Sequence, residues 1–90
     1  GMYRNVNGNE TVTMPNIFMR TCGSANSGPL AMWNFSRWTP HAVVINLGTN
    51  DWARGASDPA FVANFTRRYI DFVTQLATTY NKLPKFFLAC

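Results

Sequence analysis

Pro40-His41-Ala42-Val43-Val44-Ile45-Asn46-Leu47-Gly48-Thr49-Asn50-Asp51 is the stretch on which the reading of this chain turns. Ala42 to Leu47 is a short apolar run rich in β-branched residues, and Gly48 with three small polar residues closes it abruptly. That pattern predicts a strand buried on both faces that empties into a tight loop. Loops at strand ends are where ligands meet open α/β sheets. Gly48 lets the backbone turn where a Cβ would clash, while Thr49, Asn50 and Asp51 can bond nearby backbone groups and hold the loop in one shape. Asn50 matters most for chemistry. Its carboxamide offers two N–H donors and no charge, so once fixed it can point a preorganised dipole at oxygen charge developing in a transition state. The plainer reading is a turn with Asx-type bonds.

Downstream, Trp52-Ala53-Arg54-Gly55-Ala56-Ser57 reads as a continuation of the loop, with Gly55 giving it freedom to move. Trp52 is the ring best placed to face a substrate, the alternative being packing under the next helix. Arg54 could meet a substrate oxygen or stay solvated. Asp58-Pro59 is a strong helix start, a capping side chain followed by proline. Phe61, Val62, Phe65, Tyr69, Phe72, Val73, Leu76 and Tyr80 then recur at steps of three and four, with Asn64, Arg67, Arg68, Asp71, Gln75 and Thr78 on the other face. The spacing predicts an amphipathic helix over Pro59–Tyr80. Asn81-Lys82-Leu83-Pro84 ends it, and Lys85–Ala89 opens a second buried strand. Strand, helix, strand at these lengths predicts a right-handed βαβ crossover with parallel strands.

Upstream, Gly1 to Asn9 lacks apolar periodicity and reads as a loop, and Thr13 to Arg20 as a helix of one or two turns with Pro15 in its first turn. Cys22 to Pro29 reads as a surface loop, so Ser24 has neither the preceding strand nor the following helix of an activated nucleophile. Leu30 to Trp38 is read as a short helix whose Trp33 and Phe35 pack as core, the functional alternative being a wall of a sugar cleft. Trp38 falls at the far, N-terminal end of the sheet. His41, the only histidine, precedes the strand that Asn50 follows. Six extended residues separate them by roughly 20 Å, so they cannot share a site.

A chain of 90 residues, 47% hydrophobic and 14% aromatic, has the composition of a globular domain and not of a disordered segment. The net charge of +4 is spread, with only Arg67 and Arg68 adjacent, so a solvated surface explains it and nucleic-acid binding is not expected. No apolar window reaches the ~18 residues of a membrane span, and no signal peptide opens the chain. Cys22 and Cys90 are too few for a metal site or a disulfide framework; a bond between them stays open. Asn9-Glu10-Thr11, Asn34-Phe35-Ser36 and Asn64-Phe65-Thr66 are glycosylation sequons, a light argument for an extracellular, secreted protein.

Val43 through Asp51, an apolar strand followed by Gly-x-Asn-Asp, resembles the third conserved block of the SGNH (GDSL-type) hydrolase family. From Gly1-Met2-Tyr3-Arg4-Asn5 through Met14-Pro15 and Trp33-Asn34-Phe35-Ser36-Arg37-Trp38 to Asp51, the chain is similar to family 2 carbohydrate esterases such as acetyl xylan esterases. The resemblance implies a flavodoxin-like three-layer α/β fold and a Ser-His mechanism on acetyl esters of plant polysaccharide. It implies no metal or organic cofactor and no membrane partner. Asn50 would then be an oxyanion-hole donor, with Gly48, Thr49 and Asp51 supporting its loop and Trp52 facing substrate. A second donor, a glycine, would stand just upstream of Gly1. The family's Gly-Asp-Ser and Asp-x-x-His motifs are absent, so residues 1–90 read as an internal fragment of one esterase domain. His41 also departs from the family, which usually has an acidic residue there. The competing classes are a non-catalytic carbohydrate-binding or structural α/β module using Trp33, Trp38 and Trp52, and a nucleotide-binding unit, which the lack of a Gly-rich phosphate loop disfavours.

Overall fold

Alternation of side chains along a strand, and the 3.6-residue period of a helix, decide which faces meet in this molecule. The structure, a computed structural model, describes residues 1–3, 13–20, 32–55 and 57–89. Ser24, Cys22 and Cys90 lie outside the described residues. The elements in chain order are α1 (Met14–Ile17), a 3₁₀ turn (Phe35–Arg37), β1 (Ala42–Ile45), α2 (Thr49–Gly55), α3 (Pro59–Thr79) and β2 (Lys85–Leu88).

β1 and β2 pair in parallel, Ala42 against Lys85 through Ile45 against Leu88, as the βαβ reading expects. The sheet is thus part of a mixed α/β fold. α3 begins at the expected place: the Asp58 carboxylate accepts from the Ala60 N–H at 2.9 Å and Pro59 occupies the first turn. It ends where Asn81 and Lys82 both adopt left-handed backbone, φ 53° and 59°, so that the Lys82 N–H can reach the Ala77 carbonyl.

The helical stripe packs as the periodicity requires. Phe72 and Leu76 of α3 join Ile45 of β1 and Met2 in a buried cluster, flanked by Phe18, Val43, Phe65, Tyr69 and Phe86. Each fully buried side chain of this size contributes about 1.5–3 kcal/mol. Tyr69 adds a polar tie, its hydroxyl donating to the Ile45 carbonyl at 3.3 Å. Burial of Tyr80 at the helix end pushes its hydroxyl pKa up from the ordinary 10.0. Val62 departs from the stripe and is exposed, whereas Arg68, read as solvent-facing, is half-buried and donates to Asn16 Oδ1 at 3.2 Å.

Three expectations need correction. β1 is covered on one face only: Val44 and its register partner Phe87 are 68% and 54% exposed, because α3 lies against the other face. The stretch after Gly48 is a helix and not a loop. Gly48 sits at φ 136° and its carbonyl accepts the first helical bond from the Trp52 N–H at 2.9 Å. Gly55 ends that helix buried under Phe61, where a Cβ would clash with the ring, so it serves close packing and not mobility. Finally, the helix read over Leu30–Trp38 is, among described residues, a single 3₁₀ turn capped by Asn34, whose carboxamide oxygen accepts from the Ser36 N–H. Phe35 does pack, stacking on Phe18 and meeting Tyr80 edge-on, each with ring centroids 5.5 Å apart. Trp33 does not: it is exposed, with the Arg37 guanidinium 5.9 Å from its ring centre.

Candidate functional site

Parallel strands deliver their carboxyl ends to one edge, and the residues that follow them share it. Here Asn46 to Thr49 leave β1, Leu88 and Ala89 close β2, and the first half of α3 passes beside both. Between them lies a pocket of about 500 Å³, whose walls include Leu47, Gly48, Thr49, Trp52, Phe65 and Tyr69. It is an apolar recess with a few polar groups at its rim, the usual form of a small-molecule site.

Trp52 answers both readings made of it. Its ring meets Phe61 and Phe65 edge-on, with centroids at 5.3 and 5.8 Å, yet it stays 44% exposed and lines the pocket. Gly48 is buried with no room to spare, since a Cβ there would come within 3.2 Å of the Phe65 ring. Asn50 stands exposed in the first turn of α2 and is not among the pocket-lining residues. Arg54 lies in α2, its side chain outside the described parts.

Asp51 turns the other way. It is fully buried, and its Oδ2 accepts from the Met2 N–H at 2.8 Å while Oδ1 accepts from the Tyr3 N–H at 2.6 Å. Sequence reasoning assigned this side chain to its own loop; the structure sends it to a segment 49 residues away. Only the rarity of buried carboxylates without partners could have hinted that Asp51 seeks donors elsewhere.

His41 is exposed and precedes β1, so the strand stands between it and Asn50. Trp38, 66% exposed, also precedes β1. Among the described residues no group of three or more His, Cys, Asp or Glu could hold a metal ion, and no helix is long and apolar enough to cross a membrane.

Comparison with known proteins supplies the remaining observation. The cellulase/esterase CelE of Acetivibrio thermocellus is 35% identical over 48 residues, 53% of this chain and 6% of that protein. An acetylxylan esterase / glucomannan deacetylase of Cellvibrio japonicus is 28% identical over 71 residues, 78% of this chain and 19% of that protein. The likeness is to carbohydrate esterases. The chain thus spans less than a fifth of the length of these relatives. No family model matches, and no solved structure matches.

Proposed function

We propose that this chain is part of an SGNH-type carbohydrate esterase domain with a flavodoxin-like three-layer fold, and that Asn50 is a donor of its oxyanion hole. The parent would hydrolyse acetyl esters of a plant polysaccharide, the substrate class named for the Cellvibrio relative. A polymer of that kind is met outside the cell, so the parent is expected to be secreted. The observation that supports the reading best is the place of Asn50. It is exposed in the first turn of α2, just past the carboxyl end of β1, between a glycine in left-handed backbone and a buried, hydrogen-bonded Asp51.

In the proposed reaction a serine Oγ attacks the ester carbonyl carbon while a histidine takes the serine proton. Negative charge gathers on the carbonyl oxygen of the tetrahedral intermediate, where the Asn50 N–H donates. Collapse breaks the bond to the sugar oxygen, which takes the proton from the histidine and leaves as a hydroxyl, and water then releases acetate by the same steps. The serine and histidine would be contributed by the parent outside this chain. Thr49 and the Trp52 ring, both at the pocket, would orient the substrate.

Steady-state kinetics of the parent test this. Asn50→Ala should lower kcat by about 10²–10³, or ~3–4 kcal/mol, with little change in substrate binding, because the charge exists only in the transition state. Asn50→Asp should be at least as damaging, since it replaces both donors with acceptors. Near-wild-type turnover in a stably folded Asn50→Asp variant would sink the assignment.

One feature favours a sugar-binding role beside or instead of catalysis: Trp33 and Trp38 are both exposed in the segment before β1. Under that reading Trp38→Ala weakens polysaccharide binding and leaves ester turnover on a small acetyl ester unchanged.

A further inference from the structure

We infer that Asp51 is a positioning residue, whose buried carboxylate fixes the backbone of Gly1–Tyr3 against the turn that presents Asn50. This role rests on the esterase reading above.

A buried carboxylate persists where its oxygens are hydrogen-bonded, and bonds from N–H groups to an ionised acceptor are short and strong. Asp51 is 0% exposed, and each of its oxygens takes a different N–H, from consecutive residues. Two bonds to one planar group fix direction as well as distance. The remaining contacts of that segment agree. The Met14 N–H donates to the Gly1 carbonyl at 2.9 Å, the Met2 side chain is buried in the main core, and the Tyr3 ring lies 5.9 Å from Phe61. Gly1–Tyr3 is therefore anchored from α1, α2 and α3 at once.

Consecutive helical residues point about 100° apart. With Asp51 turned inward to the Met2 and Tyr3 amides, Asn50 stands exposed on the same helical turn as Asp51. Asp51 is joined to Asn50 through the main chain and to Gly1–Tyr3 through its carboxylate, so loss of the clamp changes how the turn presents Asn50. A shift near 1 Å in the position of such a donor can cost about 10²-fold in rate.

The test uses the full-length parent. Asp51→Asn turns one acceptor oxygen into an NH₂ that opposes a backbone N–H. The expected result is a kcat on an activated acetyl ester about 10- to 100-fold lower, KM little changed, and faster amide exchange at Met2 and Tyr3. The double variant Asn50→Ala/Asp51→Asn should be no slower than Asn50→Ala alone, because both act on one donor; independent structural damage would multiply. If Asp51→Asn does not fold, Tyr3→Pro removes a donor from the other side of the clamp and should reproduce the loss of kcat. Unchanged kcat with exposed Met2 and Tyr3 amides would overturn the positioning role while leaving Asn50 in place. A wild-type parent that hydrolyses no acetyl ester would instead overturn the esterase reading, and the positioning role with it.

Discussion

Gly55 lies beneath the ring of Phe61, itself 1% exposed, and nothing larger than hydrogen fits between them. Gly55→Ala should therefore destabilise the protein by about 1–3 kcal/mol, despite the better helix propensity of alanine, because the ring must move in a packed interior. A denaturant midpoint that stays the same or rises would show that Phe61 has room. The same residue illustrates what a single chain hides. A glycine between Arg54 and Ala56, close to Ser57, reads as a hinge, and only the ring 6 positions later, folded back over it by α3, makes it a packing contact. That Asn50 follows the carboxyl end of β1 was legible from its neighbours in sequence; the contacts of Asp51 were not, because its partners are 48 and 49 residues away.

α3 was readable from end to end, since a capping Asp58, Pro59 and an apolar stripe all point to one element. α2 was not, because seven residues, Thr49–Gly55, are too few for a helical period to show. What holds α2 as a helix is tertiary: Asp51 reaches Met2 and Tyr3 on one side and Trp52 packs on Phe61 and Phe65 on the other. The exit of α3 stores strain that sequence could not show. Lys82 adopts φ 59°, a conformation that costs an L residue about 1–2 kcal/mol and glycine almost nothing. Lys82→Gly should raise stability by up to about 1 kcal/mol, the gain being offset in part by the freer unfolded chain. Thermal midpoints of the variant and the parent sequence decide it, and a fall would mean that the Lys82 stem packs usefully.

The molecule as a whole has a sheet dressed on one side. Val44 and Phe87 stand bare on the other, and a groove of about 360 Å³ follows β1 between Phe18, Val43 and Phe72. Parallel sheets are normally covered on both faces, and exposed apolar strands invite pairing. The 90 residues on their own should thus self-associate, and Val44→Lys with Phe87→Lys should shift the population toward monomer in sedimentation. A wild-type chain that sediments as a monomer at micromolar concentration would show that the bare face needs no cover. Burial on both faces was the natural reading of Ala42–Leu47, and it failed because cover is a property of neighbours and not of the strand. The tie between Met2 and Asp51 also sets an order of assembly. As the ribosome releases the chain, the Met2 and Tyr3 amides emerge before Asp51, and Met2 waits for an acceptor 49 residues behind it. β1 waits longer still, since its partner Lys85–Leu88 appears only after all of α3 has been made. A nascent chain paused within α3 would hold Gly1–Tyr3 fastened to Asp51 while β1 still lacks β2.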